Sequence, residues 1–73
     1  MGLKPITITS REYDVLTRLS KRNLDIADEL EISIGAVNKM YYKLSGKFDA
    51  SSRAEIVLKA LKQGLVDIND FII

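Results

Sequence analysis

The pattern of hydrophobic and polar positions predicts four helices along the chain. Within each segment apolar residues recur three and four positions apart, which is the period of an amphipathic α-helix. The predicted helices span about residues 10–21, 23–30, 33–48 and 52–63. Few β-branched alternations of the kind typical of strands occur after residue 10, so the predicted fold class is all-α.

Polar residues with capping preferences indicate where the helices begin and end. The N-caps predicted in this way are Thr9, Asn23, Ser33 and Ser52. Glu12 and Glu55, each three residues after a cap, complete capping boxes for the first and last helices. Gly64 is placed to take the left-handed conformation that ends the fourth helix.

Each helix carries an apolar stripe that we expect to face the core. The stripe of the third helix contains Val37, Met40, Tyr41, Leu44 and Phe48. The inward face predicted for the fourth helix contains Ala54, Val57, Leu58 and Leu61. With this face inward, the outer surface of the fourth helix carries a small, weakly apolar patch of Ile56, Ala60 and Gln63. The apolar tail after residue 65 is expected to pack against the rest.

The composition narrows the classes of function. A chain of 73 residues predicts one domain over 9–73, with a lead-in over 1–8 and a short C-terminal tail. The absence of cysteine and histidine excludes disulfides, His/Cys metal clusters and His-based acid–base chemistry. We therefore predict no enzyme, cofactor, metal or small-molecule ligand. No apolar run reaches the length of a membrane span, so we expect a cytoplasmic protein.

The second and third predicted helices are joined by a very short turn. Ala27 lets the next helix cross closely, and Ile32 and Val37 fill the crossing. These features predict a helix-turn-helix, whose second helix fits the DNA major groove. Lys39, Lys43 and Lys47 follow one ridge of that helix, which suits backbone phosphates, although spaced lysines can also simply solubilise a surface helix.

Four segments occur in a specific order and spacing. They are ITSREYDVL (8–16), NLDIADEL (23–30), ISIGAVNKMYYKLSGKF (32–48) and SSRAEI (51–56). Together they resemble the LuxR/GerE-type helix-turn-helix family, the effector domain of many bacterial response regulators and quorum-sensing activators. Ala36 and Met40 stand where that family usually has Thr and His.

The resemblance implies a four-helix domain whose third helix reads DNA. Base contacts are expected from Asn38, Lys39 and Tyr42. Backbone contacts are expected from Asn23, Ser33, Ala36, Lys43 and Lys47. The fourth helix is the family's usual dimer surface, so Ile56, Ala60 and Gln63 are expected at the interface. Arg53 either contacts the DNA backbone or pairs with Glu12 to tie the fourth helix to the first; we favour the pair.

The sequence thus predicts a sequence-specific DNA-binding transcription regulator. The expected partners are double-stranded DNA and a second copy of the chain, with another regulator or RNA polymerase as a further protein partner. The chain is either a stand-alone regulator or the effector domain of a longer one. The alternative function is a protein-interaction module that pairs with another regulator through the fourth helix and the DFII tail.

Overall fold

The computed structural model describes residues 6–72, which form four α-helices and a final 3-10 turn. The helices are α1 (Ser10–Leu16), α2 (Asn23–Leu30), α3 (Ile34–Phe48) and α4 (Arg53–Lys62), and the 3-10 turn is Ile68–Asp70. This part of the chain contains no strand, so the predicted all-α class is confirmed. Residues 1–5 of the predicted lead-in and residue 73 of the tail lie outside the described range.

The caps at the starts of α1 and α3 are the predicted ones. The Glu12 backbone N–H donates to Thr9 Oγ1 at 3.1 Å, and the Thr9 N–H donates to the Glu12 carboxylate at 2.8 Å. Ser33 caps α3 by accepting from the Ala36 N–H at 3.0 Å. Each cap satisfies a backbone donor that has no partner within its helix. The side chains of Thr9, Glu12 and Ser33 therefore suffice to locate these two helix starts.

Two other cap predictions need correction. Ser52 caps α4 through the Glu55 N–H at 3.2 Å, but the Glu55 carboxylate accepts from the Ser51 N–H at 2.9 Å, so the reciprocal half of the capping box is missing. Asn23 is not the N-cap of α2. Arg22 holds that position without a side-chain cap, and Asn23 is the first helical residue. The Asn23 amide is instead committed to tertiary contacts.

The first helix ends at Leu16, five residues before the predicted end. The Thr17 hydroxyl donates back to the carbonyl of Tyr13 at 3.0 Å, and the Arg18 side chain donates to the carbonyl of Asp14 at 3.0 Å. The chain then continues in tighter turns, with the Leu19 N–H bonded to Leu16 O at 3.3 Å. These side chains donate to carbonyls that the backbone N–H groups of a further helical turn would otherwise bond.

The joint between α2 and α3 has the predicted form. Ala27 and Val37 are buried, and Ile32 packs against the core at their side. Glu31 ends α2 in the left-handed conformation, with φ 57°, and the Ile32 N–H closes the end by donating to Ala27 O at 3.0 Å. A non-glycine residue in this conformation is uncommon and costs free energy, which the packing of the joint offsets.

The core surrounds α3, which contacts each of the other three helices. From its predicted stripe, Val37, Leu44 and Phe48 are buried, and Met40 and Tyr41 pack at the edge of the core. Val15, Leu16 and Ile26 complete the centre from α1 and α2, each fully buried. This packing places the opposite face of α3 in solvent. No helix within residues 6–72 is long and apolar enough to span a membrane.

The predicted orientation of α4 is wrong in part, since Val57 and Leu61 pack against the core as predicted. Ile56 and Ala60 are completely buried in the core, whereas Leu58 is 61% exposed. Two apolar stripes run along this short helix, and the structure buries the one that the sequence pattern placed outside. Ile56 and Ala60 therefore cannot lie on a dimer surface, and only Gln63 of that predicted group is exposed.

The end of α4 and the tail follow the prediction. Gly64 has φ 71°, and the N–H groups of Gly64 and Leu65 donate to Leu61 O and Ala60 O at 3.1 Å each. This is the glycine-ended pattern of hydrogen bonds that satisfies terminal carbonyls. The tail then returns to the fold, because the Ile72 N–H donates to Thr17 O at 2.8 Å and Phe71 packs against the core.

Candidate nucleic-acid interface

The solvent-facing side of α3 carries a strip of polar residues with no acid among them. We call Asn38, Lys39, Tyr42 and Lys43 the α3 strip; all four are exposed, and Tyr42 keeps 71% of its surface in solvent. The helix has 15 residues and hence a length of about 22 Å. An α-helix fits the major groove of B-DNA, which is about 12 Å wide.

The two lysines of the α3 strip differ from the third lysine of the same ridge. Within residues 6–72, Lys39 and Lys43 form no ion pair. Lys47 donates from Nζ to the Glu12 carboxylate at 2.6 Å and to Thr7 O at 2.9 Å. Lys47 therefore connects α3 to the start of α1, whereas the DNA contacts expected of the three lysines stay predictions.

The electrostatics of Glu12 explain why it retains Lys47. Burial alone would raise the pKa of this carboxyl group. The hydrogen bonds from Lys47 and the Thr9 backbone, together with the charge of Lys47, outweigh burial and bring the Glu12 pKa below its ordinary value of 4.5. Glu12 is therefore ionised at neutral pH and remains an acceptor for Lys47.

Arg53 does not pair with Glu12, contrary to the favoured prediction. Its Nη1 donates to Leu19 O at 3.1 Å and to Lys21 O at 2.8 Å, and its Nη2 donates to Asn23 Oδ1. The guanidinium also lies over the Tyr41 ring, 5.5 Å from the ring centre. Arg53 therefore joins α4 to the α1–α2 connection and to α3 at one point.

Asn38 of the α3 strip belongs to the same network. Asn23 Nδ2 donates to Asn38 Oδ1 at 2.5 Å. The sequence predicted DNA contacts for both asparagines but carried no sign that they touch, because they are separated by 15 positions on two helices. Only the crossing of α2 and α3, which the short turn predicts, could have suggested this contact.

Tyr42 and the start of α3 complete the candidate interface. The Tyr42 ring meets the Tyr41 ring edge to face, with centres 5.5 Å apart and planes at 66°. Ser33 is exposed at the N-terminus of α3, and Ala36 is half-buried behind it. The first N–H groups of a helix attract phosphate, so this end suits a backbone contact that needs no side chain at Ala36.

The acids of α2 are largely paired with cations outside α3. Glu29 pairs with Arg18 at 3.2 Å and with Lys21, and Asp25 pairs with Arg22 at 3.2 Å. These pairs offset part of the acidic charge of α2, which the net charge of +1 does not reveal. No group of three or more acids within residues 6–72 is arranged to hold a metal ion.

A separate apolar groove runs along the outer face of α4. We call it the α4 groove; it is lined by Leu19, Ser20, Arg53, Ala54, Val57, Leu58, Leu61, Ile68 and Phe71. The four α4 residues that the sequence placed in the core all line this surface groove, and Val57 and Leu61 also pack against the core. The tail supplies the opposite wall of the groove through Ile68 and Phe71.

The short α2–α3 joint and the exposed polar face of α3 define a helix-turn-helix domain. The family of bacterial regulatory proteins named luxR matches residues 7–60, which is more than half of the chain. This protein therefore belongs to the luxR family, as the sequence segments predicted, and is a DNA-binding domain of that type. No curated protein and no solved structure matches it significantly.

Proposed function

We propose that this protein is a sequence-specific transcription regulator that places α3 in the major groove of DNA. The observation that carries the proposal is the α3 strip: exposed amide, ammonium and phenol groups on the second helix of a helix-turn-helix, with no acid among them. Membership of the luxR family supports the same function. We expect the protein to act in the cytoplasm, where bacterial DNA lies.

The residues of the α3 strip have distinct roles in this proposal. An Asn38 amide can accept from adenine N6 and donate to N7, and the Tyr42 ring can contact a thymine methyl group. Lys39 contacts a base edge, and Lys43 contacts phosphate, which positions the helix without reading sequence. The start of α3 at Ser33 supplies a second phosphate contact through its backbone.

We further propose that two copies pair through the α4 groove when they bind two half-sites. The groove is apolar, and Leu58 at its centre is 61% exposed. A second copy would cover that surface and set the spacing between two α3 helices, as dimeric helix-turn-helix proteins do. The proposed surface consists of Ala54, Val57, Leu58 and Leu61, in place of the buried Ile56 and Ala60.

Titration onto short random duplex DNA at several salt concentrations tests the DNA proposal. We expect binding that weakens steeply as salt rises, because each lysine–phosphate contact releases bound counterions. In the Lys39→Ala/Lys43→Ala variant, the slope of log affinity against log salt should fall by about 1 for each lysine that contacts a phosphate. Lys62→Glu is the control, since it changes net charge by the same amount at an exposed position on α4.

The comparison of these variants decides the proposal. Loss of binding in the double-lysine variant, with binding retained in Lys62→Glu, would locate DNA on α3. Equal loss in both variants would indicate only a general charge effect. No binding by the parent chain at about 50 mM salt would contradict the proposal, because the electrostatic part of binding is strongest there.

The α4 groove favours one second candidate, a protein-interaction module that pairs with another regulator. Ile68 of the tail is 70% exposed beside the groove, and such surface suits an apolar partner. On this reading the DNA titration shows no salt-dependent binding, while a Leu58→Asp change disrupts the complex with the partner. Both candidates use the α4 groove, so salt-dependent DNA binding that depends on Lys39 and Lys43 of α3 separates them.

A further inference from the structure

We infer that Arg53 and Asn23 form a relay that fixes the amide orientation of Asn38 and thereby sets the base that Asn38 reads. The inference rests on the proposed function, because it assigns the source of specificity within the same α3 strip. Arg53 and Asn23 are positioning residues here: they act on the DNA through Asn38. The relay connects α4, α2 and α3 through two consecutive side-chain hydrogen bonds.

The direction of each hydrogen bond follows from the chemistry of Arg53. A guanidinium carries N–H donors and no acceptor, so the Asn23 atom that faces it must be the oxygen. The other end of the Asn23 amide is then Nδ2, which is a donor and faces Asn38. The Asn38 atom that accepts this hydrogen bond must therefore be its oxygen, Oδ1. A donor-only side chain at the start of the relay thus fixes both amides, each of which could otherwise flip.

The starting point of the relay is firmly held. Arg53 Nη1 donates to two carbonyls of the α1–α2 connection, and the guanidinium lies over the Tyr41 ring of α3, 5.5 Å from the ring centre. A planar fork with several partners loses little further freedom for each added bond. Asn23 is the first residue of α2, where the backbone is helical and fixed. The relay is therefore formed before DNA arrives.

A fixed amide changes what Asn38 can recognise. Its Oδ1 accepts one bond from Asn23 and keeps a second lone pair, and both hydrogens of its Nδ2 are directed away from Asn23. This arrangement supplies one acceptor and one donor in a set order, which matches N6 and N7 of adenine. An amide flipped by 180° would present the opposite order, so the relay favours adenine in one position and orientation.

The Asn23→Asp variant reverses the relay with almost no change of shape. The new carboxylate still accepts from Arg53, but its second oxygen faces Asn38 as an acceptor and forces Nδ2 of Asn38 to turn inward. An acid at the first turn of a helix also suits the helix dipole, so α2 is retained. Arg53→Lys is the second variant, since it keeps the charge and loses the fork. Arg22→Lys is its matched control, because Arg22 is exposed and pairs only with Asp25 among the described residues.

The experiment first locates the base pair that Asn38 reads. Bound sequences are selected from random duplex DNA with the parent chain and with Asn38→Ala. The base pair whose preference disappears in the variant is the one that Asn38 reads. Affinities are then measured for four duplexes that differ only at that base pair, at one salt concentration. The ratios of these affinities do not depend on the negative charge that Asn23→Asp adds, because this charge weakens binding to all four duplexes alike.

We expect the preference for adenine at that position to fall about tenfold in Asn23→Asp, the scale of one bidentate contact. Arg53→Lys should lower it in the same direction, and Arg22→Lys should leave it unchanged. An unchanged preference in both relay variants, with the Asn38→Ala effect present, would overturn the relay and leave the proposed function intact. If Asn38→Ala loses no base preference, the relay is overturned and the proposed function remains. If the parent chain does not bind DNA, both the relay and the proposed function are overturned.

Nuclear magnetic resonance of the side-chain amides gives a reading without DNA. In the parent chain, the Asn23 NH₂ should exchange with solvent more slowly than the Asn38 NH₂, because only the former donates within the described part of the protein. In Asn23→Asp, the Asn38 NH₂ should become the slow one. An Asn38 NH₂ that exchanges equally fast in both proteins would overturn the relay. Circular dichroism confirms that each variant keeps its helices.

Discussion

Glu12 combines a cap, a buried charge and a tertiary contact in one side chain. Its carboxylate accepts from the Thr9 N–H and from Lys47, and the residue is 3% exposed. The sequence predicted the cap, because Thr9 and Glu12 are three positions apart. It could not predict the pair with Lys47, which lies 35 positions away and shares its ridge spacing with Lys39 and Lys43. Contacts between distant helices leave no periodic signal.

The pH dependence of stability tests the role of Glu12. Its folded-state pKa lies below the ordinary 4.5, so its contribution is complete above about pH 4.5 and is lost as pH falls through the lowered value. We expect Glu12→Gln to lower the free energy of unfolding by about 1.5–3 kcal/mol near neutral pH, the value of a hydrogen bond to a charged group. The difference from the parent chain should shrink toward about pH 3, as measured by urea unfolding.

Glu29→Gln is the control for this measurement. Hydrogen bonding from Lys21 lowers the pKa of Glu29 as well, but its side chain is more exposed, so solvent screens the interaction. The effect of Glu29→Gln on the free energy of unfolding should be smaller than that of Glu12→Gln near neutral pH, where both carboxylates are ionised. A Glu12→Gln difference that stays constant between neutral pH and about pH 3 would mean that the buried carboxylate does not contribute through its charge.

At the scale of helices, the sequence located α2, α3 and α4 to within one residue and misjudged the phase of α4. In α3 a single apolar stripe runs along the helix, so Val37, Leu44 and Phe48 could be assigned inward. In α4 the stripe through Leu58 is larger than the one through Ile56, and the pattern favoured the larger stripe. The structure buries Ile56 and Ala60 of the smaller stripe, and Arg53 at the start of α4 donates to two carbonyls of the α1–α2 connection.

The phase of α4 can be tested by two truncations two residues apart. We expect Ile56→Ala to destabilise the fold by about 2–5 kcal/mol, since it empties a fully buried site. Leu58→Ala should change stability by no more than about 0.5 kcal/mol, because Leu58 is mostly exposed. Urea unfolding monitored by circular dichroism measures both. The reverse order of effects would restore the orientation that the sequence pattern predicted.

A smaller change protects this test from complete unfolding. Ile56→Val removes one methylene group and should cost about 0.5–1.5 kcal/mol, which a chain of this size can tolerate. If Ile56→Ala does not fold, the shift caused by Ile56→Val still reports burial at that position. No shift in Ile56→Val would contradict the structure at α4.

Across the whole molecule, two exposed surfaces have opposite chemistry. The α3 strip is polar and carries two lysines that form no ion pair with the described residues, and the α4 groove is apolar. Arg53 lines the groove and also begins the relay to Asn38, so one residue lies between the two surfaces. A chain that buries an apolar face on a second copy and leaves its polar helices outward can present two α3 helices to one DNA duplex.

The dimer is tested by placing a carboxylate on either side of α4. Leu58 and Gln63 are both exposed, and five residues of helix separate them by about 140°. Leu58→Asp should weaken self-association about tenfold or more, because burying a carboxylate in a largely apolar interface costs free energy. Gln63→Asp should leave self-association unchanged, although the sequence placed Gln63 at the interface.

Sedimentation velocity over a range of concentrations, with and without a duplex carrying two half-sites, measures the self-association of both variants. Weakened association in Gln63→Asp alone would move the interface to the other side of α4, and a parent chain that stays monomeric even on DNA would exclude the dimer.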